Sequence, residues 1–193
     1  MSTQKPNLTG ARIARLMNSG ERLFHIKDLA VLWNINDYNT LRTTMKRYSA
    51  SGLIHRIYKG FYAVVPAEKI DPLLLGAKAI HEYCYLSTES VLFIAGYISR
   101  KITYHTFVSA KSKRFFIGKN QYLSRQLKTE FLFNPAGLQT KNGILQANLD
   151  RAIADMLYFN PKFHFDRKVN WRKIKSMQKK LGYPLTPNRY VNS

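Results

Sequence analysis

Hydrophobic positions in the first third of the chain repeat three times with the period of a helix and then change to the period of a strand. Ile13, Leu16 and Met17 share one face of a segment that ends before Gly20, with Thr9 placed as its N-cap. A short extended piece, Leu23–His25, leads into Ile26–Trp33, where Ile26, Leu29, Ala30 and Trp33 fall at the i, i+3, i+4 and i+7 positions of an amphipathic helix. After Asn34-Ile35-Asn36, Asp37 is placed to cap a third helix running to Ala50, with Leu41, Met45 and Tyr48 inward and Ser51-Gly52 as its stop. Residues 53–58 and 61–65 are β-prone runs joined by Lys59-Gly60, which predicts a hairpin with glycine at the position needing positive φ. Three helices followed at once by a hairpin is the order of a winged helix-turn-helix, with Pro66 at its end.

The remainder alternates between the two periods. Segments 72–81 and 88–95 are predicted helical, the second capped by Ser87 and stopped by Gly96, while 102–108, 114–117 and 130–133 have the character of strands. Asn142-Gly143 marks a hairpin over 138–147, and Asn148 then caps a helix with Leu149, Ile153, Met156 and Leu157 inward. A last helix, Trp171–Leu181, lies between Asn170 and Gly182, with Trp171, Ile174, Met177 and Leu181 inward. The expected fold class is α+β: a winged helix-turn-helix over residues 1–66, followed by a mixed α+β domain over 67–193.

Charge changes this from a fold into a functional question. The 193 residues carry 31 Lys+Arg against 11 Asp+Glu, a net charge of +20, which exceeds what solubility requires and points to a polyanionic partner. Both halves contribute, +7 from residues 1–65 and +13 from the rest. With Leu41, Met45 and Tyr48 inward, the 100° helical step puts Asn39, Thr43 and Lys46 on the opposite face of the third helix, flanked by Arg42 and Arg47, with Thr40 near its start. A DNA major groove admits one helix, and Arg or Lys to guanine, Asn to adenine and Thr to the thymine methyl are the pairings that read it. Lys59 at the hairpin tip and Arg56 near it would add backbone or minor-groove contacts, and Arg12, Arg15 and Lys27 further phosphate contacts. A basic helix face is usually just a solvated one, and it is the combination with the hairpin that makes this pattern specific. Tyr58, Phe61 and Tyr62 have faces that stack on bases, but in a strand such residues more commonly build the core.

The segment from Phe24 to Val65, with HIKDLA and then NTLRTTMKRYSASGLIHRIYKGFYAV, resembles the N-terminal module of the AbiEi-type antitoxins, in which a helix ends at Gly and passes into I-x-R-I-x-K-G-x-Y. YLSTESVLFIAGYI and LQANLDRAIADMLYF resemble that family's second domain, so the likeness covers roughly residues 10–185. The resemblance implies a repressor of its own operon that binds inverted repeats in double-stranded promoter DNA. It also implies a C-terminal domain that neutralises a nucleotidyltransferase-like toxin, the other partner of a type IV toxin–antitoxin system. Composition and spacing do not show that second role, and they leave the oligomeric state open.

The C-terminal half has its own basic surfaces. No acid occurs between Glu89 and Glu130, where Lys111, Lys113 and Arg114 are among eight bases, and Arg172, Lys173, Lys179 and Lys180 crowd the outer face of the last helix. Either a solvated surface, further DNA contact or docking onto an acidic or RNA-bound toxin fits them. Two other readings of the whole chain stay open: a basic protein-interaction module acting only on the toxin, and an RNA-binding or nucleic-acid-processing protein.

Catalytic and membrane signals are weak. The five histidines are scattered, Cys84 stands alone and is expected to be a buried structural thiol, and the chain has no phosphate-binding loop and no nucleophile elbow. Asp150 and Asp155 diverge by about 140° on a helix, and His164/Asp166 has no further partner. The expectation is therefore no enzyme, no catalytic residue, no metal and no cofactor. The longest apolar run, residues 91–95, falls far short of the roughly 20 needed to span a bilayer, and the N-terminus lacks a signal-peptide hydrophobic region, so a cytoplasmic location without membrane contact is expected.

Overall fold

The computed structural model describes residues 8–187. The chain is a mixed α+β protein that divides into two compact units, Met1–Asp71 and Pro72–Ser193.

The first unit holds helices α1 (Leu8–Asn18), α2 (Ile26–Trp33) and α3 (Tyr38–Ala50) and strands β1 (Leu23–His25), β2 (His55–Tyr58) and β3 (Phe61–Ala63). The strands form one antiparallel sheet in the order β1-β3-β2, so the extended piece before α2 adds a third strand to the hairpin. Leu16, Leu29, Trp33, Leu41, Met45, Tyr48 and Ile54 form the core between helices and sheet. Each such apolar side chain contributes on the order of 1.5–3 kcal/mol through burial. The Trp33 indole donates to the Arg12 carbonyl at 3.0 Å, which ties α2 to α1. Thr44 is also buried, beside the three inward residues expected from the helical period. Thr9 lies inside α1 instead of capping it, because the helix already begins at Leu8.

The second unit is built on a six-stranded sheet in the order β6-β7-β5-β4-β9-β8. Its elements are α4 (Pro72–Ile80), β4 (Cys84–Leu86), α5 (Glu89–Ile94), β5 (His105–Ser109), β6 (Lys113–Ile117), β7 (Asn120–Gln126), α6 (Thr129–Leu132), β8 (Leu138–Lys141), β9 (Ile144–Ala147), α7 (Leu149–Phe159) and α8 (Trp171–Leu181). β4 runs parallel to β9 and β5 parallel to β7, and the remaining neighbours are antiparallel. Gly76 on α4 sits where a Cβ would come within 2.4 Å of the Tyr122 ring. Gly76→Ala is expected to cost about 1–3 kcal/mol through overpacking, read as a lowered melting temperature.

Several expectations are corrected. Residues 130–133 are not a strand: Thr129–Leu132 is one helical turn, with the Lys128 carbonyl accepting from the Phe131 and Leu132 amides at 3.0 Å each. Four apolar-rich residues cannot distinguish the two periods. The strand expected from 102 begins only at His105. α5 has Thr88 in place of Ser87 at its N-cap, because the Ser87 hydroxyl is turned inward to donate to Asp155 at 2.7 Å. On α8 the buried positions are Ile174, Gln178 and Leu181, while Trp171 and Met177 are half-buried; Gln178 is satisfied by Thr186, whose hydroxyl accepts from it at 2.8 Å. Cys84 is half-buried, its thiol directed at the Ala77 carbonyl. Burial, reinforced by Glu82, pushes that thiol up to about 12. Alkylation of native Cys84 at pH 8 is therefore expected to be roughly a thousandfold slower than in denaturant, as followed by mass spectrometry.

At the centre of the second unit lies an ion pair with no solvent exposure on either side chain. Arg151 Nε donates to Asp155 Oδ1 at 3.0 Å, its Nη2 to the Tyr85 hydroxyl at 2.7 Å and its Nη1 to the carbonyls of Asn134 and Ala136 at 2.9 Å each. Asp155 in turn accepts from the Ser87 and Tyr183 hydroxyls, both at 2.7 Å. Burial raises the Asp155 carboxyl, and Arg151, Tyr183 and Ser87 act in the opposite sense by favouring its ionised form. Burial and the adjacent Asp155 charge push the Tyr85 and Tyr183 phenols up, which keeps both hydroxyls protonated.

Candidate nucleic-acid interface

The interface is built on the start of α3. Asp37 caps that helix, its carboxylate accepting from the Thr40 amide at 2.6 Å and the Asn39 amide at 3.4 Å. Hydrogen bonds from the Thr40 side chain and amide, and from the Asn39 amide, hold the Asp37 carboxyl below its usual value of 3.8. A carboxyl lowered on folding contributes stability above its unfolded value, and that contribution is lost as pH falls through the lower folded value. The melting-temperature difference between the native chain and Asp37→Ala is accordingly expected to be full at neutral pH, to begin shrinking as pH approaches 3.8 and to vanish only below the still lower folded value. Thr40 is thereby engaged in the cap through its amide, and its side chain is exposed.

From this cap, the helical period carries Asn39, Arg42, Thr43, Lys46 and Arg47 outward, and all five are exposed. Opposite them stands the β2–β3 hairpin. Its tip is fixed by Gly60, at φ +84, and by its carbonyl, which accepts from the Ile26 amide at 2.9 Å. Tyr58 packs on Phe61 at 5.1 Å and Phe61 stacks on His25 at 4.5 Å, so the hairpin is tied to the end of β1, where α2 begins. Phe61 and Tyr62 are buried, which leaves Tyr58 as the one exposed ring of the three considered for stacking.

Helix and hairpin enclose an open cleft of about 620 Å³. Asn39, Arg42, Thr43 and Lys46 line it from α3, Arg56 and Lys59 from the hairpin, and no carboxylate is among the lining residues. Six of the eight site residues expected from sequence are thus brought to one cleft. Thr40 and Arg47 are not among its lining residues. The Arg47 guanidinium instead lies 5.4 Å from the Tyr48 ring centroid. Tyr38 and Ser49 also line the cleft and were missed from the sequence. The Arg42 guanidinium lies over Tyr38, 5.8 Å from the ring centroid, an arrangement that restricts a long side chain on the face where it is offered. The i, i+4 spacing of Tyr38 and Arg42 was the available signal.

Lys111, Lys113 and Arg114 in the second unit are exposed around β6, and Arg172, Lys173, Lys179 and Lys180 are exposed on α8. Asp166 and His164 belong to a loop in which the Asp166 carboxylate accepts from the Ser99 amide and, at 2.6 Å, from its hydroxyl. Among the described residues, no three His, Cys, Asp or Glu side chains gather to hold a metal ion. Among the same residues, no helix is long and apolar enough to cross a membrane.

No family model and no curated protein matches this chain. A solved structure, the crystal structure of RV2827C protein from Mycobacterium tuberculosis, matches with a TM-score of 0.53 at 12% identity, over 95% of this chain and 74% of that one. The likeness extends through both units and is a likeness of fold.

Proposed function

We propose that the first unit is a winged helix-turn-helix, with α3 as recognition helix and the β2–β3 hairpin as wing, and that the protein is a DNA-binding repressor of its own operon. One observation carries this reading: an acid-free cleft that sets Asn39, Arg42, Thr43 and Lys46 opposite Arg56 and Lys59. The Asn39 amide can donate to adenine N7 and accept from its N6 amine, Arg42 can donate twice to guanine, Thr43 adds a methyl and a hydroxyl, and Lys46, Arg56 and Lys59 supply positive charge for phosphates. The net charge of +20 supports a polyanionic ligand without specifying a sequence.

The resemblance of both units to AbiEi-type antitoxins supports a second activity, neutralisation of a nucleotidyltransferase-like toxin by the second unit. Footprinting on DNA upstream of the gene is expected to reveal protected inverted repeats that Arg42→Ala leaves unprotected. Co-expression with a nucleotidyltransferase encoded beside it is expected to restore growth. Uniform, sequence-independent protection would overturn the repressor reading, and undiminished toxicity would overturn the antitoxin reading.

A further inference from the structure

The second unit carries an aromatic and basic surface that duplex recognition by the first unit does not use. β6 is an edge strand, paired only with β7, and its side chains alternate between the two sheet faces. Phe115 and Ile117 face inward, with Phe115 stacked on Tyr122 at 4.9 Å. Arg114 and Phe116 take the other face, and Phe116 is 65% exposed there, the most exposed phenylalanine among the described residues. Strand register sets Phe116 beside Gln121 and Arg114 beside Leu123. The Arg114 guanidinium lies over the Tyr104 ring, 5.6 Å from its centroid. Every charged side chain from residue 90 to residue 129 is basic, eight in all.

From this we infer that the outer face of β6 and β7 binds single-stranded RNA, with one base stacked on Phe116 and the neighbouring phosphates held by Arg114 and Lys119. A lone exposed phenyl ring on a strand that also presents Arg114, with exposed Lys119 in the turn that follows, matches a ligand that offers unstacked π-faces along a polyanionic backbone. A duplex keeps its bases stacked on one another and presents no such face, so the surface selects for a single strand. The Gln121 amide, beside the ring, can donate to and accept from a base edge or a ribose 2′-hydroxyl, which favours RNA over DNA. An acidic protein strand pairing with the β6 edge would use the same charge but has no need of the Phe116 ring.

The test is fluorescence anisotropy of the full chain with a labelled 12-nucleotide RNA, the same sequence as single-stranded DNA, and a duplex of that sequence. Phe116→Ala is expected to weaken RNA binding by roughly 5- to 100-fold, to leave the salt dependence unchanged and to leave duplex binding within about twofold. Phe116→Trp is expected to retain RNA affinity, and Arg114→Ala to flatten the salt slope by about 0.7. Equal RNA affinity of the native chain and Phe116→Ala would overturn the stacking site, and equal affinity for the DNA strand would overturn the assignment to RNA. Loss of an acidic protein partner by Phe116→Ala, with RNA affinity unchanged, would assign the surface to protein instead. Because Phe116 is exposed, its substitution leaves the core intact, and an unchanged melting temperature verifies this.

Discussion

Replacing Arg42 and Lys46 together by alanine is expected to lower affinity for the upstream operator on the order of 100-fold, measured by anisotropy at fixed salt. Both side chains line the cleft against the hairpin, but they are expected to fail differently. Arg42, held over Tyr38, offers a planar fork whose bidentate pairing with guanine is worth about 1–3 kcal/mol against the wrong base. Its loss should relax discrimination at one base pair while leaving generic duplex affinity largely intact. Lys46 is a point charge, so its loss should weaken every sequence alike and reduce the salt slope by about 1. Tyr38→Leu, which removes the ring and keeps the guanidinium, should reproduce part of the Arg42 phenotype. Arg47 lies outside the cleft lining, and Arg47→Ala is expected to have the smaller effect.

The second large effect is on stability. Arg151→Met is expected to destabilise the second unit by about 3–5 kcal/mol, because it leaves the Asp155 carboxylate charged and buried with one partner class removed. The Asn134 and Ala136 carbonyls would lose their donors as well. Chemical denaturation followed by tryptophan and tyrosine fluorescence reads this directly. Arg151→Lys should rescue little, since one ammonium cannot reach Asp155, Tyr85 and two carbonyls in the geometry of the guanidinium fork. Asp155→Asn is also expected to destabilise the unit, because the neutral amide has one acceptor oxygen for the two hydroxyls of Ser87 and Tyr183 and leaves Arg151 without its counter-ion.

The elements that sequence made legible are those governed by local chemistry. Asp37 and Asn148 cap the helices expected of them, and Asn170 caps the helix it was seen to precede, because a short acceptor side chain reaches amides two or three residues ahead. Asn142-Gly143 turns its hairpin because both residues adopt positive φ. By contrast, β7 was not visible, although it is the longest strand and joins β5 to β6. Its buried positions are Tyr122 and Ser124 and its other face carries Gln121 and Arg125, so hydrophobicity does not alternate along it. What makes it a strand is the Ser109–Ser124 hydroxyl pair at 2.6 Å and the packing of Tyr122 against α4, both long-range contacts.

The candidate site was legible to the extent that one helix defines it. The 100° step alone groups Asn39, Thr43 and Lys46, and the hairpin signal alone places Lys59. That Arg56 and Lys59 face this helix depends on β1 joining β3 and on the Gly60 carbonyl meeting the Ile26 amide, which no local pattern encodes. The buried Arg151–Asp155 pair was missed for the same reason, Asp155 having been weighed only against Asp150: its burial is decided by Tyr85 and Tyr183, far away in sequence.

The central claim is that α3 and the hairpin grip duplex DNA as one surface, and a salt titration of operator binding tests it most directly. With about six phosphates contacted, log K should fall against log salt with a slope near −5, and Lys46→Ala with Lys59→Ala should flatten it by about 2. A slope that these two substitutions leave unchanged would contradict the account.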